Sequence, residues 1–356
     1  MKLFDFPFLV QENILKQMHF GYVFFISLCS KRSIKLIQRV GWRHLKEIEY
    51  YSSSMGQVIC MFVYLINKQN SEIDGLGLYL NDEIAAETSR VSIFGKNVRC
   101  RFPDQSSPEL VSQLDKEDKW FLVMMKNQLD VLFGKGLPTE TKKDSCRGGI
   151  FLPKNLEFGR RCMITHSEET EAQDFEDYFD AIGNQDFVEM LHRGFNRPIN
   201  TNSKFFSTNI LVVKSSNKDA IYMLENFKGE EAVFSADNFR SGNIIGLLKK
   251  WKKREYNNNL EKLQINTRLN PRLVFEEYAR ELNIKRLPNS IAPPIVQLTQ
   301  NFYRTYKQLD PLEVTIPTYI TRDDGIVGLL SVTPEKLVFS VKRITEKEML
   351  ETNSIA

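Results

Sequence analysis

The chain has 356 residues, of which 42% are hydrophobic and 26% are charged, and its formal net charge is +3. This balance is typical of a soluble globular protein with one large or two modest domains. The charge is too small to predict nucleic acid as a partner, and the longest apolar runs, at 23–28 and 58–66, are too short to cross a bilayer. We therefore expect neither a nucleic-acid-binding protein nor a membrane protein.

The N-terminus and the cysteines both predict a compartment inside the cell. The first residues lack a basic opening followed by a small-residue cleavage site, so they do not resemble a signal peptide. An odd number of widely scattered cysteines favours free thiols over a disulfide framework. These cysteines are Cys29, Cys60, Cys100, Cys146 and Cys162. The expected location is the cytoplasm or the nucleus.

The first part of the chain predicts three short helices. Pro7 lies where a helix can begin, because the first turn does not need its N–H group. Apolar residues then recur on one helical face. They are Val10, Ile14, Leu15 and Met18. An apolar second helix is expected over 22–29, and a third follows Ser33. So small a bundle buries little surface by itself, so some of its apolar side chains should contact another protein.

The order of residues in this segment resembles the F-box. The matching residues are Pro7, Val10, Ile14, Leu15 and Met18, the Leu-Cys-Ser-Lys-Arg sequence at 28–32, Leu36, Ile37 and Trp42. Residues 27–32 are especially similar to the large F-box family of nematodes, although Phe6 stands where the family usually has leucine and Gly21 opens the second helix.

The resemblance implies that this segment docks onto the Skp-type adaptor of a cullin-RING ubiquitin ligase. The residues that it would place on the adaptor are Pro7, Leu9, Val10, Ile14, Leu15, Met18, Leu28 and Leu36, the last two shared with the local core. The alternative is an ordinary helical subdomain packed on its own chain.

A strand-rich part follows the helices. Runs at 47–51, 57–66, 76–80 and 91–102 are rich in β-branched and aromatic residues, and the sequence Gly-Lys-Asn at 95–97 predicts a hairpin within the last run. Residues 106–109 then give a helix-start signal, with Leu110 and Leu114 behind it, and helical character continues to Phe133.

The segment 135–204 is strongly acidic in its second half, with no lysine or arginine between Arg161 and Arg193. Its aromatic residues follow a partly helical pattern, so one interpretation is that the segment is ordered by packing against the core or against a basic partner. We expect instead a solvated and partly flexible insert.

From Asn209 the sequence predicts strands that alternate with helices. The strands are expected at 210–213, 232–234 and 260–266, and the helices at 220–227 and 244–254. The last strand has a leucine-rich-repeat cadence, so an irregular strand–helix array with a parallel sheet is expected, suited to holding another protein. The basic run 249–254 should lie on the solvent side of its helix, since the apolar residues occupy the other face.

The C-terminal part predicts a β-hairpin at 318–332, with a turn at 323–325, and one more strand at 337–342. With the preceding helix and the segment 260–263, this part is similar to the type 2 F-box-associated domain. The predicted organisation is α+β: a helical F-box at 1–48, a mixed F-box-associated domain at 49–344 with an insert at about 135–204, and a tail at 345–356.

Signatures of catalysis are missing from the sequence. It contains no P-loop, no nucleophile elbow, no Cys-x-x-Cys and no dinucleotide-binding glycine pattern, so neither an enzyme nor a cofactor is expected. Cys146, Cys162, His166 and His192 include only one close pair, whereas zinc sites bring ligands in two, so no metal is expected.

The resemblance therefore implies a substrate-recruiting subunit of an SCF-type ligase. It would bind the Skp-type adaptor, and through it a cullin, and would capture a protein of unknown identity. The alternative is a protein-interaction scaffold whose N-terminal helices cap its own core.

Overall fold

A computed structural model describes residues 3–41, 45–55, 58–67, 72–80, 89–93, 96–101, 109–112, 120–134, 139–145, 161–166, 171–215, 219–236, 239–266, 275–289, 291–298 and 312–352. The chain is mixed α+β, with an N-terminal helical stretch followed by sheet-rich structure, as predicted. By its contacts it divides into two units, Met1–Met163 and Ile164–Ala356, which are described separately below.

The helices of the described residues are α1 Phe8–Gln17, α2 Phe20–Cys29, α3 Lys31–Val40, α4 Trp120–Phe133, α5 Ala172–Ile182, α6 Asp219–Asn226, α7 Ser241–Lys252, α8 Phe275–Leu282 and α9 Glu346–Thr352, with short 3-10 helices at Leu3–Asp5 and Lys204–Ser207. The strands are β1 Leu45–Met55, β2 Val58–Asn67, β3 Glu72–Leu80, β4 Ser89–Ile93, β5 Lys96–Arg101, β6 Glu109–Ser112, β7 Thr139–Ser145, β8 Arg161–His166, β9 Phe187–His192, β10 Ile210–Ser215, β11 Glu231–Ala236, β12 Lys262–Asn266, β13 Lys285–Arg286, β14 Ile295–Leu298, β15 Leu312–Thr315, β16 Thr318–Thr321, β17 Ile326–Val332 and β18 Lys336–Thr345.

The three N-terminal helices form where the sequence predicts them. Pro7 is the N-cap of α1, and its carbonyl accepts hydrogen bonds from the N–H groups of Val10 and Gln11. Ser30 caps α3, since its hydroxyl accepts from the N–H of Ser33 at 3.1 Å. Gly41 ends α3 with a φ of +68°, a conformation that costs glycine least. Ser30 and Gly41 therefore define the two ends of α3.

The first unit contains a sheet built around three long strands. β1, β2 and β3 pair antiparallel in chain order, and β7 pairs parallel with β1. The predicted hairpin within 91–102 is confirmed, because β4 and β5 pair antiparallel, but Lys96 and Asn97, which were expected in its turn, lie in β5 opposite Ile93 and Ser92. The first unit is thus mainly antiparallel.

One expectation for this unit was wrong. Residues 109–112 do not begin a helix but form β6, which pairs parallel with β3 and antiparallel with β5. Both neighbouring strands expose backbone groups that need hydrogen-bond partners, and this requirement overrode the local helix-start signal. In the described part of this region, helix α4 spans Trp120–Phe133.

The second unit is built on a parallel sheet, as the strand–helix alternation predicts. β9, β10, β11 and β12 pair in parallel, with α6 between β10 and β11 and α7 between β11 and β12. Leu211 of β10 pairs with Ala232 of β11, and Ala232 pairs with Leu263 of β12. The number of residues from one strand to the next is therefore uneven, as expected. β18 extends the sheet antiparallel to β12 and is followed by β17, β16 and β13.

The acidic segment is not a solvated insert where the structure describes it. Within 171–204, helix α5 buries Phe175 and Phe179 completely, and β9 is the first strand of the parallel sheet. The ring of Phe175 lies 4.8 Å from that of Phe179 and 5.0 Å from that of Phe205. Asp177 and Asp180 of α5 are exposed, while the buried Glu176 pairs with Arg197 at 2.9 Å, so the local charge concealed a helix that packs through its aromatic face. Residues 135–138, 146–160 and 167–170 of the predicted insert lie outside the described part.

The C-terminal hairpin is confirmed, with β16 and β17 joined by a turn that ends at Gly325, whose φ is +87°. The Asp324 carboxylate accepts hydrogen bonds from the Arg322 guanidinium at 2.8 and 2.9 Å, which confirms the structural role expected for this turn. The segment predicted as a tail, 345–356, contains the last residue of β18 and helix α9, whose Met349 is buried. Helix α8 and the strands β13 to β15 were not predicted.

Candidate protein-docking surface

The first turn of α1 presents three consecutive apolar side chains to solvent. Phe8 is 42% exposed, Leu9 71% and Val10 40%. Single exposed apolar residues are common on protein surfaces, but a contiguous group marks an interaction site more often. We name these three residues the α1 apolar turn.

The predicted docking residues divide into three classes. Pro7, Leu9 and Val10 are exposed, whereas Ile14, Met18 and Leu28 are half-buried. Leu15 and Leu36 are buried, at 0% and 6% exposure, and they belong to the core of the bundle. The placement of Leu15 on a docking surface is therefore corrected: α3 packs against α1 and covers its inner face. Phe8 was missed, although its position beside Leu9 in the first helical turn was a usable signal.

The α1 apolar turn is held on a firm support. The Gln11 side chain donates to the carbonyl of Phe6 at 2.5 Å, and Lys16 pairs with Glu12 at 2.7 Å one turn apart. Leu15 anchors the inner face of the helix in the core. A partner would therefore meet a preorganised surface, which reduces the entropy lost on binding.

The bundle is also joined to the rest of the first unit. The Gln38 side chain donates to the carbonyl of Val131 in α4 at 2.6 Å, and Gln128 of α4 donates to the hydroxyl of Ser27 at 2.9 Å. The rings of Phe20 and Phe133 lie 5.9 Å apart. Helices α2 and α3 therefore contact α4, whereas the first turn of α1 faces solvent.

The second unit contains a buried histidine at the carboxyl end of the parallel strand β9. His192 is 2% exposed. Burial lowers the pKa of His192 to about 4, against the opposing effect of the Asp219 carboxylate. The imidazole is therefore neutral at physiological pH and packs against the ring of Phe195 at 4.6 Å.

The candidate metal residues do not assemble in the described part of the chain. Cys146 lies outside the described residues, as does the side chain of His166, while Cys162 and His192 are buried. No group of three or more potential ligands occurs among the residues that the structure describes.

The basic run at the end of α7 has partners within the chain. Lys249 pairs with Glu281 at 2.7 Å, and Arg254 lies 3.7 Å from Asp324. Trp251 packs against Phe339 at 4.8 Å on the buried face of the helix. The predicted division of α7 into an apolar face and a cationic face is confirmed.

No protein-family model, curated protein or solved structure matches this chain. Across the described residues, each helix is too short or too polar to cross a membrane.

Proposed function

We propose that this protein is a substrate-recruiting subunit of a cullin-RING (SCF-type) ubiquitin ligase. The α1 apolar turn would bind the Skp-type adaptor, and the C-terminal domain would hold a target protein. The chain itself would contribute no catalytic group and would act in the cytoplasm or the nucleus. One observation carries the proposal: three consecutive apolar side chains face solvent at the start of a helix whose inner face is anchored by the buried Leu15.

The energetics of this surface support a docking role. Complete burial of a valine, leucine or phenylalanine side chain contributes roughly 1.5–3 kcal/mol, and Leu9 keeps most of that free energy available because it is 71% exposed. A few such anchors dominate most protein interfaces. Exposing them without a partner would carry a risk of aggregation and no benefit.

The parallel sheet of the second unit supports the second half of the proposal. Its strands are backed by helices whose apolar faces are buried, as at Leu248 and Trp251 of α7 and at Met223 of α6. Such a core gives the rigid body that a capture domain needs to hold a target.

The direct test is a binding titration of the full chain with purified Skp-type adaptor. We expect Leu9→Asp to weaken binding at least about tenfold, since an aspartate in an apolar contact must be desolvated. The matched control is Ile295→Asp, because Ile295 is 58% exposed but belongs to the second unit. Wild-type affinity in the Leu9→Asp variant, with its fold verified by circular dichroism, would refute the proposal.

A second candidate function has its own supporting observation. The hydrogen bonds from Gln38 to Val131 and from Gln128 to Ser27 join the helices to α4, as expected if they cap the core of a non-ligase interaction scaffold. In that case the wild-type chain would not bind the adaptor at any concentration tested. Gln128→Leu would still lower the melting temperature, because the Ser27 hydroxyl would lose its donor.

A further inference from the structure

We draw no further inference here: the strongest candidate, the polar row that Lys214, Ser235, Asn266 and Lys336 form across neighbouring strands β10, β11, β12 and β18, carries nothing, because Lys214 already pairs with Glu189 at 3.5 Å, Asn266 already donates to Ser235 at 3.0 Å, and nothing in the described part of the structure shows what covers the row.

Discussion

Replacing Phe175 with alanine tests whether the acidic segment is part of the core. Phe175 is 0% exposed, and its ring centroid lies 4.8 Å from those of Phe179 and Phe195 and 5.0 Å from that of Phe205. Truncating a buried phenylalanine costs about 3–5 kcal/mol, since both the transfer free energy and the packing around the ring are lost. This is a large share of the roughly 5–15 kcal/mol that stabilises a typical domain.

The assay is urea unfolding followed by far-UV circular dichroism. With a slope of about 1–3 kcal/mol per molar urea, a loss of about 3–5 kcal/mol should move the transition of the second unit down by about 1–5 M. Peptide-resolved hydrogen exchange should show the loss of protection in β9 and β10, which lie in the same unit. Phe8→Ala is the matched control, because Phe8 is 42% exposed in the first unit and should change stability by only about 0.5 kcal/mol. Equal effects of the two substitutions would show that Phe175 is not part of a packed core.

Four further predictions concern single residues. Because the pKa of His192 is lowered to about 4, the unfolded state binds a proton below about pH 6.5 that the folded state does not bind. The free energy of unfolding should therefore fall as the pH drops from about 6.5 to 4, by up to about 1.4 kcal/mol per pH unit. The same dependence of the unfolding free energy on pH in His192→Phe would contradict this. Gly229→Ala should destabilise by about 3 kcal/mol or more, since its Cβ would lie 1.8 Å from the carbonyl oxygen of Thr208. In Gly246→Ala, the added Cβ in the middle of α7 would meet no atom within 4 Å, so the substitution should stabilise the protein by about 0.5–1 kcal/mol in thermal unfolding. A lower melting temperature for this variant would refute the reasoning. Ser30→Ala should cost about 1 kcal/mol through the lost N-cap, and an unchanged urea midpoint would exclude that role.

Elements with a clear local pattern were predicted well. Helix α1 follows from Pro7 and the spacing of its apolar residues, and β10 to β12 follow from short apolar runs separated by helical ones. The C-terminal hairpin was recognisable from its Asp-Asp-Gly turn. In each of these elements, the local preference and the tertiary environment favour the same conformation.

Elements whose state depends on distant strands were predicted poorly. β6 is a strand because it lies between β3 and β5, and its parallel partner β3 is distant in sequence, with Gly77 opposite Glu109. Similarly, the acidic residues around α5 concealed the aromatic face that packs at Phe205. Such contacts are formed between residues far apart in the chain, so no short window contains the information.

The candidate docking site shows the same division. Helical periodicity predicted α1 from the sequence alone, and the family resemblance added Leu9 and Val10 as expected contact residues. The sequence could not separate Leu9 from Leu15, which have the same side chain on the same helix. The packing of α3 buries Leu15 completely and leaves Leu9 71% exposed, so only the tertiary structure decided which leucine can meet a partner.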